Sequence, residues 1–253
     1  DCSRLRGIRC PLQHRMTPGS ADTPAMAGSE ALRAGSEKRL TVLISGRGSN
    51  LKALIDACAD GRIAGHVTAV ISNRPGARGL EFARAAGIAH AVVDHRNYPD
   101  RDAFDRALAE AIDATAPDLG ILTVAFARRF RGRMVNIHPS LLPDFRGLHT
   151  HARALEAGVS RHGASVHFVT PDLDGGPVIM QASVPVCPGD DPETLAARVQ
   201  LAEHRLYPAA VGMICSGAIQ EQGDHVLCDG RPLTRPLQLE TLPEAATRCA
   251  GSS

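Results

Sequence analysis

From Leu40 onward the apolar positions follow two alternating periods. Leu40-Thr41-Val42-Leu43-Ile44-Ser45 is a near-continuous apolar run bounded by Gly46, the pattern of a strand buried on both faces. Beyond the turn Gly46–Asn50, Leu51, Leu54, Ile55 and Cys58 recur at i, i+3, i+4 and i+7, one stripe of an amphipathic helix. The alternation continues with a strand at Val67–Ser72, a helix at Gly79–Ala86 closed by Gly87, and a short strand at Ala91–Asp94. A helix over Asp100–Thr115 stops before Pro117, and strands follow at Leu119–Val124 and Met134–Ile137. Strands alternating with helices predict an α/β domain with a mostly parallel, Rossmann-like sheet.

The second half changes period. Ala164–Thr170 and Val178–Val186 alternate as antiparallel strands joined by the turn Pro171–Gly176. Asp191-Pro192-Glu193 opens a helix with a cap, a first-turn proline and early acidic charge. Its stripe of Leu195, Val199 and Leu206 reaches Pro208, and Ala209–Ile214 continues the pattern. Val226–Cys228 with Asp229-Gly230 predicts a small C-terminal hairpin. Residues 1–38, rich in Gly, Ser, Ala, Pro and Arg and without periodicity, read as a disordered extension. The expected organisation is therefore one domain over 39–232, with a tail over 233–253.

Composition narrows the function. Apolar residues form 43% of the 253, enough for a sizeable core, and no apolar run approaches the ~20 residues of a membrane span. A formal net charge of +1, with aromatics at 3% and no Trp, argues against a nucleic-acid or membrane surface. No stretch has the order of a secretory signal, so a cytoplasmic protein is expected. The seven cysteines are scattered without a CxxC pair, which fits neither a disulfide framework nor a zinc ribbon.

Two segments carry candidate chemistry. Ser45-Gly46-Arg47-Gly48-Ser49-Asn50 lies between a strand and a helix, where glycines permit close backbone approach and helix N–H groups face an anion. It lacks the ending of a Walker loop, and by residue type alone it serves equally as an ordinary βα turn. In Asn136-Ile137-His138-Pro139, the two-residue spacing puts Asn136 and His138 on one side of a strand end. An amide donor beside an imidazole suits oxyanion stabilisation with proton transfer, provided a carboxylate partner exists. The turn Pro171-Asp172-Leu173-Asp174-Gly175-Gly176 offers one, or is only a turn. His149, His151, His162 and His167 lack the Cys or HExxH context of a metal site, so no metal is expected.

Taken together, ISGRGSN (44–50), NIHPSLLP (136–143), GLHTH (147–151) and GASVHFVTPDLDGGP (163–177) resemble the glycinamide ribonucleotide formyltransferases, in that family's order, over residues 40–230. The resemblance implies the formyltransferase fold and formyl transfer from 10-formyltetrahydrofolate to the amine of 5-phosphoribosyl glycinamide in de novo purine synthesis. Matched motif by motif, it implies that Asn136 and protonated His138 stabilise the tetrahedral oxyanion and that Asp174 holds His138 and helps relay protons. Gly48, Ser49 and Asn50 match the phosphoribosyl loop, and Glu203 in RVQLAEH the ribose-binding acid. Arg101 in PDRDAFD, with Asn136, matches the folate site.

One departure stands out: after Leu122 about seven residues of the family's AGFMRIL run are missing, and Val124 replaces the usual Pro. That segment would supply much of the pterin wall, so a folate-site-defective, non-catalytic relative is an alternative reading. Methionyl-tRNA formyltransferase and formyltetrahydrofolate deformylase share the Asn-x-His and distant Asp arrangement, but SGRGSN and GLHTH speak against both.

Overall fold

The computed structural model describes residues 8–9, 37–122 and 132–239. Its main sheet has the order β1-β12-β8-β7-β6-β5-β2-β3-β4. The first strand of the α/β half, β2 (Lys38–Ile44), runs parallel to β3 (Gly65–Ser72) on one side and β5 (Leu119–Leu122) on the other. β4 (Ala89–Val92) lies beyond β3, and β6 (Met134–His138) beyond β5, both parallel.

The two-residue period of β2 decides which helices cover which face. Leu40, Val42 and Ile44 join the core formed with Leu51 and Leu54 of α1 (Ser49–Ala59) and Leu80 of α2 (Gly79–Ala85). Leu43 points the other way, into a cluster with Phe104, Leu108 and Ile112 of α3 (Arg101–Ala114). Thr41, fully buried on that same face, places its hydroxyl 2.6 Å from that of Thr115. Because both faces are covered, the strand reads as a solid apolar run rather than an alternation. Asp100 caps α3 by accepting from the Ala103 N–H at 2.7 Å.

Past β6 the sheet turns antiparallel through β7 (Arg161–Phe168) and β8 (Val178–Pro185), as the alternation predicts. Between β6 and β7 lies α4 (Thr150–Glu156), a seven-residue helix too short for a periodic signal. Helix α5 (Pro192–Cys215) is continuous for 24 residues despite the internal Pro208. Its start is fixed by a capping box between Asp191 and Thr194. Buried Leu195, Val199, Leu206 and Tyr207 pack against the sheet, and the Tyr207 hydroxyl donates to the Val135 carbonyl at 3.1 Å.

Three differences from the sequence reading follow from long-range pairing. The C-terminal hairpin is a three-stranded sheet of β9 (Ile219–Gln222), β10 (His225–Cys228) and β11 (Arg231–Pro232). Strand β12 (Leu237–Leu239) lies within the expected tail, yet it joins the main sheet parallel to β8 with Leu237 fully buried, so the folded unit runs past 232. Within the expected disordered extension, β1 (Ile8–Arg9) pairs antiparallel to β12. The shortened segment after Leu122, including the expected strand end at Val124, lies outside the described residues, as does most of 1–38.

Candidate active site

In an open parallel sheet the crevice forms where the strand order reverses, beyond the carboxyl ends of the strands. Here the order reverses about β2, flanked by β3 and β5. The loop after β2 therefore stands close to the ends of β5 and β6, where Asn136 and His138 sit.

Asn136 and His138 occupy the same face of β6 as buried Met134, and they are only 6% and 5% exposed. The Asp174 carboxylate approaches from the turn after β7, with Oδ2 3.3 Å from His138 Nδ1 and both side chains buried. The other ring nitrogen, Nε2, lies 3.0 Å from the Phe145 carbonyl. Both neighbours are acceptors, so a ring protonated at both nitrogens satisfies both contacts.

Asp174 holds this position in the left-handed region, at φ 47°, an uncommon conformation for a residue with a side chain. The turn is tight because Gly176 lies against β7, where a Cβ would fall 1.9 Å from the Phe168 carbonyl oxygen. The Gly147 N–H, from the GLHTH segment, donates to Asp174 Oδ2 at 3.0 Å.

His167 is a member of this network that sequence reasoning did not assign. It faces Asn136 directly across the antiparallel β6–β7 pair. Its Nδ1–H donates to the Phe168 carbonyl at 2.8 Å, and Nε2 lies 3.3 Å from Asn136 Nδ2. Burial, above all, pushes the His167 pKa down, so the ring is neutral and Nε2 accepts from the Asn136 amide. Nδ2 carries two hydrogens, so one N–H remains beyond this bond, while buried Asn136 Oδ1 has no hydrogen-bond partner among the described residues. Register was the only available signal for His167, and register needs the fold.

A second buried network stiffens the loop that follows His138. Ser165 Oγ donates to the Ser140 carbonyl at 2.7 Å and accepts from the Leu142 N–H at 3.0 Å. Gln181 Nε2 completes it on the Leu142 carbonyl at 2.9 Å. Of the other histidines, His151 and His162 stack edge to face with centroids 5.2 Å apart, and desolvation lowers both pKa values.

The glycine loop lies between β2 and α1. Gly48 adopts φ 75°, and a Cβ there would lie 2.4 Å from the Gly79 Cα, so the two glycines let the loop pack against the start of α2. Asn50 Nδ2 donates to Glu203 Oε2 at 2.9 Å, and Gln200 Nε2 to Ser49 Oγ at 3.1 Å. Gln200, one helical turn before Glu203, joins the loop residues here, another member the sequence reading missed. Burial, chiefly, raises the Glu203 pKa, with the Asn50 bond opposing it. The structure thus gathers Asn136, His138 and Asp174 into one cluster and Ser49, Asn50 and Glu203 into another. Arg101 stands apart at the first position of α3, exposed, with its guanidinium 2.8 Å from Asp105.

An amide donor beside an imidazole held by a buried carboxylate can stabilise an oxyanion and move a proton. Residues 38–211 match the model of the family described as formyl transferase. The chain belongs to that family, and within it to the phosphoribosylglycinamide formyltransferases. It is 49% identical over 201 residues to the phosphoribosylglycinamide formyltransferase of Escherichia coli strain K12, covering 77% of this chain and 95% of that protein. The solved structure of the Coxiella burnetii enzyme of that name superposes with a TM-score of 0.73 at 43% identity, over 79% of this chain and 97% of the other. Glycinamide ribonucleotide transformylase 1 from Symbiobacterium toebii gives a TM-score of 0.72 at 45% identity, over 80% and 99% of the two chains.

Proposed function

We propose that this chain transfers the formyl group of 10-formyltetrahydrofolate to the amine of 5-phosphoribosyl glycinamide, a step of purine (IMP) biosynthesis, and works in the cytoplasm. The observation that carries the reading is the buried network joining Asn136, His138, Asp174 and His167 on a chain of this family. No helix among the described residues is long and apolar enough to cross a membrane.

The acceptor's phosphoribosyl group lies on the loop Gly48–Asn50, with Glu203 accepting from ribose hydroxyls. Arg101 assists at the folate site. The free amine attacks the formyl carbon, a new C–N bond forms and the carbonyl oxygen becomes an oxyanion. The Asn136 N–H not used by His167 and the Nε2–H of His138 donate to that oxyanion, so the Phe145 carbonyl releases His138 when substrate binds. Asn136 Oδ1, without a partner among the described residues, is an acceptor suited to the attacking amine's N–H. Asp174 keeps the imidazolium charge balanced in a buried site. As the bond from the formyl carbon to the folate nitrogen breaks, that nitrogen takes up the proton the amine loses, relayed through His138, Asp174 and water. The donors stand in place before the charge develops, so little reorganisation is needed.

The test is formyl transfer between the two substrates by the purified chain. Turnover is expected, falling by about 10³-fold in His138→Ala. A well-folded wild-type chain without turnover would overturn the reading.

A further inference from the structure

A cavity of about 600 Å³ lies beside the glycine loop, lined by that loop and by the segments after β3 and β4, with no residue of α5 in its wall. Four arginines from three segments line it: Arg47, Arg74, Arg78 and Arg96. Arg96 is held by Asp94 through Nη2–Oδ2 at 2.7 Å and Nε–Oδ1 at 3.0 Å. Among the described residues, no hydrogen bond or ion pair engages the guanidinium groups of Arg47, Arg74 or Arg78, and no carboxylate lines the cavity. Three cations without a partner among the described residues thus line one cavity of a chain whose formal net charge is only +1.

The wall is laced together before any ligand arrives. Buried Ser72 Oγ accepts from the Arg74 N–H at 3.0 Å and donates to the Arg74 carbonyl at 2.7 Å. The Asn73 N–H donates to the Ile44 carbonyl at 3.3 Å, and the Gly79 N–H to that of Gly46 at 3.1 Å. The His95 ring is fixed by Nδ1–H donating to the Asn73 carbonyl at 3.0 Å. The backbones carrying Arg47, Arg74 and Arg78 are thereby set relative to one another, which lowers the ordering cost of binding.

Guanidinium forks match phosphate oxygens, and a phosphate group carries about −1.5 to −2 charge. Three free guanidiniums therefore balance two phosphates rather than one, and the volume suits a small molecule. We propose that this cavity is a second anion site that takes the diphosphate group of a small phosphorylated ligand. It is separate from the phosphoribosyl cradle of Ser49, Asn50 and Glu203, and it relies on the proposed function only for what occupies that cradle.

The test is calorimetric titration of inorganic pyrophosphate into the full chain at about 0.15 M salt. Binding at one site is expected, about tenfold or more tighter than orthophosphate, and it persists when 5-phosphoribosyl glycinamide is saturating. The Arg74→Ala/Arg78→Ala variant, with an unchanged circular dichroism spectrum, should bind about tenfold or more weakly. No binding, orthophosphate binding equally well, or a variant that binds as the wild type would each overturn the proposal. ADP binding with the same arginine dependence assigns a nucleoside diphosphate, whereas pyrophosphate binding without ADP binding assigns the free anion. If the chain has no affinity for 5-phosphoribosyl glycinamide, the proposed function fails while the pyrophosphate comparison between wild type and variant still decides this site.

Discussion

His162 couples the active-site wall to pH. The ring is 1% exposed, on β7, edge to face with His151 and with Phe145 at 5.9 Å. Phe145 is the residue whose carbonyl faces His138. Desolvation, then the nearby imidazoles of His151 and His138, lowers the His162 pKa from 6.5 to about 4. Between those two values the unfolded chain binds a proton that the folded chain does not, so folding stability rises with pH there and is lost as pH falls from 6.5 toward 4. At about 1.4 kcal/mol per pH unit, acidification from about pH 7.5 to 4.5 costs on the order of 2 kcal/mol through this group. The variant His162→Gln keeps a polar side chain but cannot titrate. With no Trp in the sequence, urea unfolding is best followed by far-ultraviolet circular dichroism at both pH values. The wild type should lose on the order of 2 kcal/mol more than the variant across that interval. Equal losses would show that the His162 ring is not desolvated, and would remove its part in the wall behind His138.

Three other outcomes are expected. Asp174→Asn should lower kcat by about 10²-fold or more with little change in thermal midpoint, since the shape is kept while the charge beside His138 is lost; kcat within tenfold of wild type would free Asp174 from the mechanism. Glu203→Gln should raise KM for the ribonucleotide by about tenfold and leave kcat within a few-fold, because the ribose loses a charged acceptor and the reacting atoms do not. Truncation after Leu233 should cost about 3–5 kcal/mol in urea unfolding, from the loss of buried Leu237 and Leu239; an unchanged midpoint would place the end of the folded unit near 232.

Much of this protein was readable from local pattern. The solid run Leu40–Ile44, the stripe Leu51–Cys58 and the capped start at Asp191 identify the elements, because periodicity and capping depend on neighbours a few residues away. The two-residue spacing likewise put Asn136 and His138 on one face, and the motifs pointed to Asp174 and Glu203 before any geometry was known. Sequence could not say what lies opposite a residue on another strand. The neutral acceptor that His167 offers Asn136, the seating of Gln200 on Ser49, and the return of Leu237–Leu239 to the sheet all depend on pairing between distant segments. So does the meeting of Arg47 with Arg74 and Arg78, which only the packing together of two βα loops brings to one cavity. Period and composition act within a segment. Register, burial and the charge balance of a cavity arise only when segments far apart in the chain are packed together.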